Sequence, residues 1–307
     1  MYKYSKPYIK KICESKVYDV AVKSPLPRAD NVSSKLENNI FLKREDLQPT
    51  HSFKIRGAYN KIENLVRTKN ENHVVTASAG NHAQGVAYSA KSLKIKATIY
   101  MPKTTPSIKV DSVRKLKAKV VLVGDNFDAA LGEAQKFCKK QKLPFIHPFD
   151  DPLVIAGQGT VGKEILEQFD ESIHAIFVAV GGGGLISGIG SYVKSINSKI
   201  KIIAVEAADA AGLNQSLKVK RRIKLKEVGL FADGAAAKQI GKYNFNLIKE
   251  WIDDSITVST DEICAAVKDT FIDTRSIPEP TGALALAGLE KYVRQKGIKN
   301  KNLIATY

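Results

Sequence analysis

An α/β fold with parallel sheets buried on both faces is what the sequence predicts. Three observations carry that expectation. Short β-branched apolar runs alternate with longer stretches of helical period along the chain. The strand-like runs are continuously apolar, as strands covered by helices on both faces are. The 307 residues, with 44% hydrophobic content, suffice for a sizeable core, and two domains are the natural division at this length.

Taken in order, the first strand is expected at NIFLKRE (39–45), followed by a helical stretch at YNKIENLVRTK (59–69). The next strand is HVVTAS (73–78), then a helix at HAQGVAYSAKSLK (82–94), a strand at KATIYM (96–101) and a helix at IKVDSVRKLK (108–117). KVVLVG (119–124) reads as a strand and NFDAALGEAQKFCKKQ (126–141) as a helix. Turn residues in HPFDDP (147–152) mark the best break between two sets of α/β units. Beyond it come a helix at TVGKEILEQF (160–169), a strand at AIFVAV (175–180), a helix at LISGIGSYVKSI (185–196) and a strand at KIIAVEA (201–207).

Composition narrows the function classes. The formal net charge is +17, which raises the prospect of a nucleic-acid or anionic-membrane binder. Basic residues are scattered, however, and the one dense cluster, KVKRRIKLK (218–226), has no interleaved aromatics or recognition motif. A solvated surface that draws in anionic small molecules is the reading adopted, with no nucleic acid and no membrane as partner. The uncharged stretch 175–193 has the length of a membrane span, but six glycines interrupt it. Cys13, Cys138 and Cys264 are odd in number and far apart, without a CxxC or Cys/His cluster. A reducing, cytoplasmic setting fits, and no metal site is expected.

Two glycine-bearing turns follow strands. In VAVGGGGLISGIG, Gly181, Gly182, Gly183 and Gly184 lie between a buried strand and a helix. Exposed amides and a helix start form an anion site there, with phosphate the expected guest; close strand–helix packing is the other reading. The dinucleotide fingerprint GxGxxG fails in this register, with Ile186 or Ser187 where the last glycine belongs. GQGTVGKE (157–164) nearly meets the Walker pattern, but Glu164 stands where Ser or Thr would meet magnesium, and the match is taken as chance. The second turn, SAGNHAQG, places Ser78, Gly80 and Asn81 ahead of a helix, where free N–H groups suit a carboxylate. Ordinary helix capping is the alternative.

HSFKIRGAYN (51–60) contains Lys54 between Phe53 and Ile55. Alone, it reads as a half-exposed lysine whose stem covers apolar surface. A buried lysine would instead have a lowered pKa, and its neutral amine attacks aldehydes. An amine beside a phosphate cup and a carboxylate turn is what a pyridoxal phosphate enzyme needs.

LKREDLQPTHSFKIRGAYN, TASAGNHAQGVAY, HPFDDPLVIAGQGT, VAVGGGGLISG, VGLFADG and EPTGALALAG, in this order, resemble the fold-type II pyridoxal-phosphate enzymes, and within them the biosynthetic threonine dehydratases. The resemblance covers nearly the whole chain. It implies two open, twisted, mainly parallel sheets flanked by helices, as in tryptophan-synthase-β-like folds. Residues 1–50 and 149–307 would form a larger domain and 51–148 a smaller one.

The resemblance also implies roles. Lys54 matches the lysine that holds the cofactor and then moves protons. Gly181, Gly182, Gly183, Gly184 and Leu185 match the loop whose amides hold the 5′-phosphate. Asn81 matches the residue bonded to the pyridine 3′-oxygen, and Phe53 the residue packed beside the ring. Ser78, Ala79, Gly80, Asn81 and His82 match the turn that clasps the substrate carboxylate, and Glu279 an active-site-facing carboxylate. The implied reaction is dehydration and deamination of L-threonine, and second of L-serine, to 2-oxobutanoate or pyruvate and ammonia, a step of isoleucine biosynthesis. Serine racemases carry serine where this chain has Ala79, so elimination without efficient racemisation is expected. The family continues past a strand like NLIATY to a serine that meets the pyridine nitrogen, whereas this sequence stops at Tyr307. The larger domain is therefore expected to be cut short, without isoleucine feedback. A homo-oligomer, dimer or tetramer, is implied. A serine dehydratase, a β-replacement enzyme and an inactive fragment of the fold stand as alternatives.

Overall fold

In a computed structural model, residues 5–307 are described, and they form two parallel sheets. The chain begins with α1 (Lys6–Cys13), α2 (Asp30–Leu36), β1 (Asn39–Lys43) and α3 (Lys54–Lys69). Next come β2 (His73–Ala77), α4 (Asn81–Ser92), β3 (Lys96–Met101), α5 (Ser107–Lys115), β4 (Lys119–Leu122) and α6 (Phe127–Gln141). They are followed by α7 (Pro152–Gln168), β5 (Ala175–Ala179), α8 (Gly184–Ile196), β6 (Lys201–Ala207) and α9 (Gly212–Lys218). The chain closes with α10 (Lys242–Trp251), β7 (Asp254–Val258), α11 (Thr260–Thr274), α12 (Pro280–Lys296) and β8 (Asn302–Thr306).

The larger sheet has the order β1-β8-β5-β6-β7 and the smaller β2-β3-β4, every pair parallel. Strand β5 shows why its run is continuously apolar. Ala175 and Phe177 pack on one face with α2, α11 and α12, while Ile176 and Val178 pack on the other with α7, α8 and α10. Each fully buried aliphatic side chain of this kind is worth about 1.5–3 kcal/mol. The smaller sheet is covered in the same way, by α3, α4 and α5 on one face and α6 on the other.

All six strands expected from apolar runs are present, some one or two residues shorter. Strand β1 ends at Lys43 because Arg44 turns the chain into a short 3-10 turn and Glu45 enters a buried ion cluster. Strand β7 was not foreseen: it is an edge strand of DSITV, half-buried and polar at its start, with too few apolar residues to signal a strand. Helix α7 begins eight residues before its foreseen start, with Pro152 in its first turn and Asp151 accepting from Leu153 N (2.8 Å) and Val154 N (3.3 Å). The GxxxxGK match thus lies inside a helix, not on a phosphate loop. Its Gly157 faces α3, where a Cβ would come within 2.6 Å of the Arg56 carbonyl. Close approach of these two helices sets the position of α3's first turn. No described helix is long and apolar enough to cross a membrane.

Candidate active site

Lys54 is the first residue of α3, and no side chain caps that helix start. It is half-buried, and its Nζ donates to the Pro148 carbonyl at 3.2 Å. The ammonium sits 5.3 Å from the Phe53 ring centroid. Burial pushes its pKa down to about 8, against an upward pull from Glu279. A neutral amine is therefore accessible near physiological pH.

Arg56, two residues on, is treated in the opposite way. It is wholly buried, with Nε and Nη2 on Glu45 at 2.8 Å each and Nη1 on Glu164 at 2.5 Å. Lys43 completes the cluster through Glu164 (2.6 Å) and Ser24 O (2.6 Å). Burial opposes the Arg56 charge, but Glu45 and Glu164 outweigh it and raise its pKa. The Glu164 carboxyl is likewise held below its ordinary value: burial would raise it, and Arg56 overcomes that. This cluster ties the first turn of α3 to α7 and β1.

The glycine turn leaves β5 and enters α8. Gly183 has φ +93°, the left-handed region that glycine adopts freely, and it caps the helix. The first helical bond is Ser187 N to Gly183 O, at 3.0 Å. The N–H groups of Gly184, Leu185 and Ile186 precede it and have no turn behind them to bond to. The Leu185 side chain is buried in the core, so its part in a cup falls to its backbone. Phe149 closes one side: a Cβ on Gly182 would run into its ring, and one on Gly184 would lie 3.1 Å from its Cβ.

The third component is the turn at Ser78–His82. Helix α4 starts at Asn81, so Gly80 is the cap and Asn81 belongs to the helix rather than preceding it. Gly80 N donates to Ser78 Oγ at 3.3 Å, and a Cβ on Gly80 would meet nothing within 4 Å. The turn therefore borders open space at Gly80. Asn81 Nδ2 donates to Glu279 Oε1 at 2.7 Å, linking α4 to the start of α12. Burial raises the Glu279 pKa, with Asn81 pulling it down. His82 is buried, and its Nε2–H donates to the Ile146 carbonyl at 3.0 Å. Burial, then the Lys54 charge, push its pKa to about 3, leaving a neutral ring whose Nδ1 has no partner.

Residues 146–151 join these parts. Ile146 O takes His82, Pro148 O takes Lys54, Phe149 backs the glycine turn, and Asp150 caps α10 through Lys242 N (2.8 Å) and Tyr243 N (2.9 Å). His147 Nδ1 accepts from Asp150 N at 2.8 Å, which leaves the hydrogen on Nε2. From sequence this stretch reads as a break between units. Phe149, His147 and Asn244, which donates to Gly182 O at 2.9 Å, were not picked out. HPFDDP was visible as a turn; nothing in KYNFN marks Asn244.

A helix start with free amides after β5, a lysine whose charge is destabilised and a turn after β2, linked through residues 146–149, suit an anionic aldehyde cofactor on an α/β enzyme fold. The residues fit pyridoxal phosphate: the glycine turn for its phosphate and the Lys54 amine for its aldehyde. The chain belongs to the family described as pyridoxal-phosphate dependent enzyme, which matches residues 17–306. It is 50% identical to the biosynthetic L-threonine dehydratase of Burkholderia multivorans over 98% of its own length and 60% of that relative's. Against other curated threonine dehydratases it spans about half of their length (49%). Its fold matches the processed form of threonine deaminase isoform 2 from Solanum lycopersicum with TM-score 0.96 and 47% identity, covering 98% of this chain and 83% of that one. Maize serine racemase matches with TM-score 0.91 and 31% identity, covering 97% and 92%.

Proposed function

We propose that this chain eliminates the β-hydroxyl of L-threonine, and second of L-serine, as water with pyridoxal phosphate as cofactor, and that water then hydrolyses the released imine, so that the net products are 2-oxobutanoate (or pyruvate) and ammonia. The observation that carries the reading is Lys54: an amine near pKa 8 that donates to the carbonyl of Pro148, the residue before Phe149, which backs the glycine turn. When bound, the cofactor would act as an electron sink for the bond breaking at the substrate Cα. Lys54 would hold the aldehyde, then serve as the base that takes the Cα proton. In the turn Ser78–His82, Ser78 N is held by the Tyr100 carbonyl and Gly80 N by Ser78 Oγ, so the N–H groups of Ala79, Asn81 and His82 would hold the substrate carboxylate, and those of Gly181 to Leu185 the phosphate. Phe53, beside the lysine, would border the ring. Asn81, joined here to Glu279, would stand at the ring's oxygen side.

The names of the relatives, threonine dehydratases from bacteria, fungi and plants, support threonine first. The product 2-oxobutanoate would feed isoleucine synthesis. A smaller domain at 51–148, a homo-oligomer and a cytoplasmic setting belong to the same reading. Purified protein titrated with pyridoxal phosphate should gain a visible absorption band that Lys54→Ala lacks, and threonine should yield 2-oxobutanoate. Sulfide-dependent product from O-acetylserine, with none from threonine, would instead make this a β-replacement enzyme.

A further inference from the structure

A glycine turn has no Cβ to restrict it, yet here one of its peptides is held from outside. The Gly182 carbonyl accepts from Gly241 N at 3.1 Å and from Asn244 Nδ2 at 2.9 Å. A trans peptide is planar, with C=O and the next N–H pointing opposite ways. Holding the carbonyl on the α10 side therefore turns the Gly183 N–H away from α10. Asn244 is wholly buried (0% exposed), and its Nδ2 also donates to the Phe149 carbonyl at 3.0 Å. One amide thus bridges the glycine turn and the residue that follows Pro148, the acceptor of Lys54. Its Oδ1 is buried without a partner. A buried polar group in that state is unfavourable, so an amide here offers more than filled volume.

We propose that Asn244 is a positioning residue: it aims the Gly183 N–H into the anion cup and sets the span from the cup to the Lys54 amine. Its effect is selective for a phosphate-bearing aldehyde over the same aldehyde without phosphate. The inference rests on the pyridoxal phosphate reading above.

The test compares wild type, Asn244→Ala and Asn244→Ser in absorbance titrations with pyridoxal phosphate and with pyridoxal, using Lys54→Ala as background for other lysines. Asn244→Ala is expected to bind pyridoxal phosphate about tenfold more weakly, the loss of one well-placed hydrogen-bonding group, with pyridoxal affinity unchanged. Asn244→Ser, which keeps a donor, should fall between, and it carries the test if the alanine variant does not fold. Inorganic phosphate should compete less well with pyridoxal phosphate in both variants. Equal weakening of both aldehydes, or no change in either, overturns the role of Asn244. A wild-type chain that takes up no pyridoxal phosphate overturns the functional reading itself.

Discussion

Lys54 and Arg56 leave the same helical turn and end in opposite electrostatic settings. Arg56 lies among two carboxylates, a threonine and a second cation, with its guanidinium multiply bonded. Lys54 has a carbonyl at 3.2 Å, an aromatic ring and a carboxylate acting only through space. A buried charge with matched partners is fixed, and removing one partner strands the others. A buried amine without a counterion gives up its proton easily. The difference teaches that burial alone does not lower a basic residue's pKa; the lack of a bonded carboxylate does. It also divides the labour: Arg56 anchors the first turn of α3, and Lys54 remains chemically available on it.

The largest way to break the comparison is Lys54→Ala. Turnover of threonine should fall by about a thousandfold or more, the scale of losing a positioned base and covalent anchor, while urea denaturation shows a folded protein. A variant that retains turnover would remove Lys54 from the chemistry. The mirror experiment is Arg56→Met. It leaves Glu45 and Glu164 buried without their fork and should cost about 3–5 kcal/mol of stability, read from the urea midpoint. Intact stability with lost cofactor uptake would show that Arg56 acts on the site directly.

Next in size is the pH dependence of stability. The folded Lys54 pKa of about 8 lies below the ordinary 10.5. Below pH 8 the amine is protonated in both states and its burial is unfavourable; above 10.5 it is neutral in both and the penalty is gone. In the protein without cofactor, Lys54→Met should therefore raise stability at pH 7 by up to about 3 kcal/mol, with the gain shrinking between pH 8 and 10.5. A gain that persists at pH 11 would trace to packing rather than charge. The smallest effect sharpens the picture: Glu279→Gln removes the one carboxylate that holds the Lys54 pKa up. The pH midpoint of Lys54 acylation in the protein without cofactor should move down by less than about one unit, and an upward move would contradict the assignment.

The legible and illegible parts of the site separate along physical lines. The glycine turn and the SAGN turn could be picked out from local residue types, glycines after a strand and a capping turn, whereas Lys54 alone reads as a surface lysine and stands out only in combination with them and with the family resemblance. The ion cluster around Arg56 was not visible, since its members, Lys43, Glu45, Arg56 and Glu164, are brought together from β1, the turn after it, α3 and α7. Strand β7 was missed because an edge strand needs few apolar residues, and the start of α7 because Gly157 and Gly159 weaken a helical pattern whose packing against α3 is tertiary.

By itself the sequence determined the alternation of strands and helices, since apolar period and glycine placement are properties of neighbouring residues. It also picked out the side chains proposed for the site. Only the tertiary structure decided what those side chains are. Whether a lysine keeps its proton depends on how many carboxylates lie within a few ångströms, and whether a glycine peptide faces outward or inward depends on what grips its carbonyl. Those neighbours, Glu279 for Lys54 and Asn244 for Gly182, lie far along the chain and meet their partners only when α10 and α12 pack against the sheet.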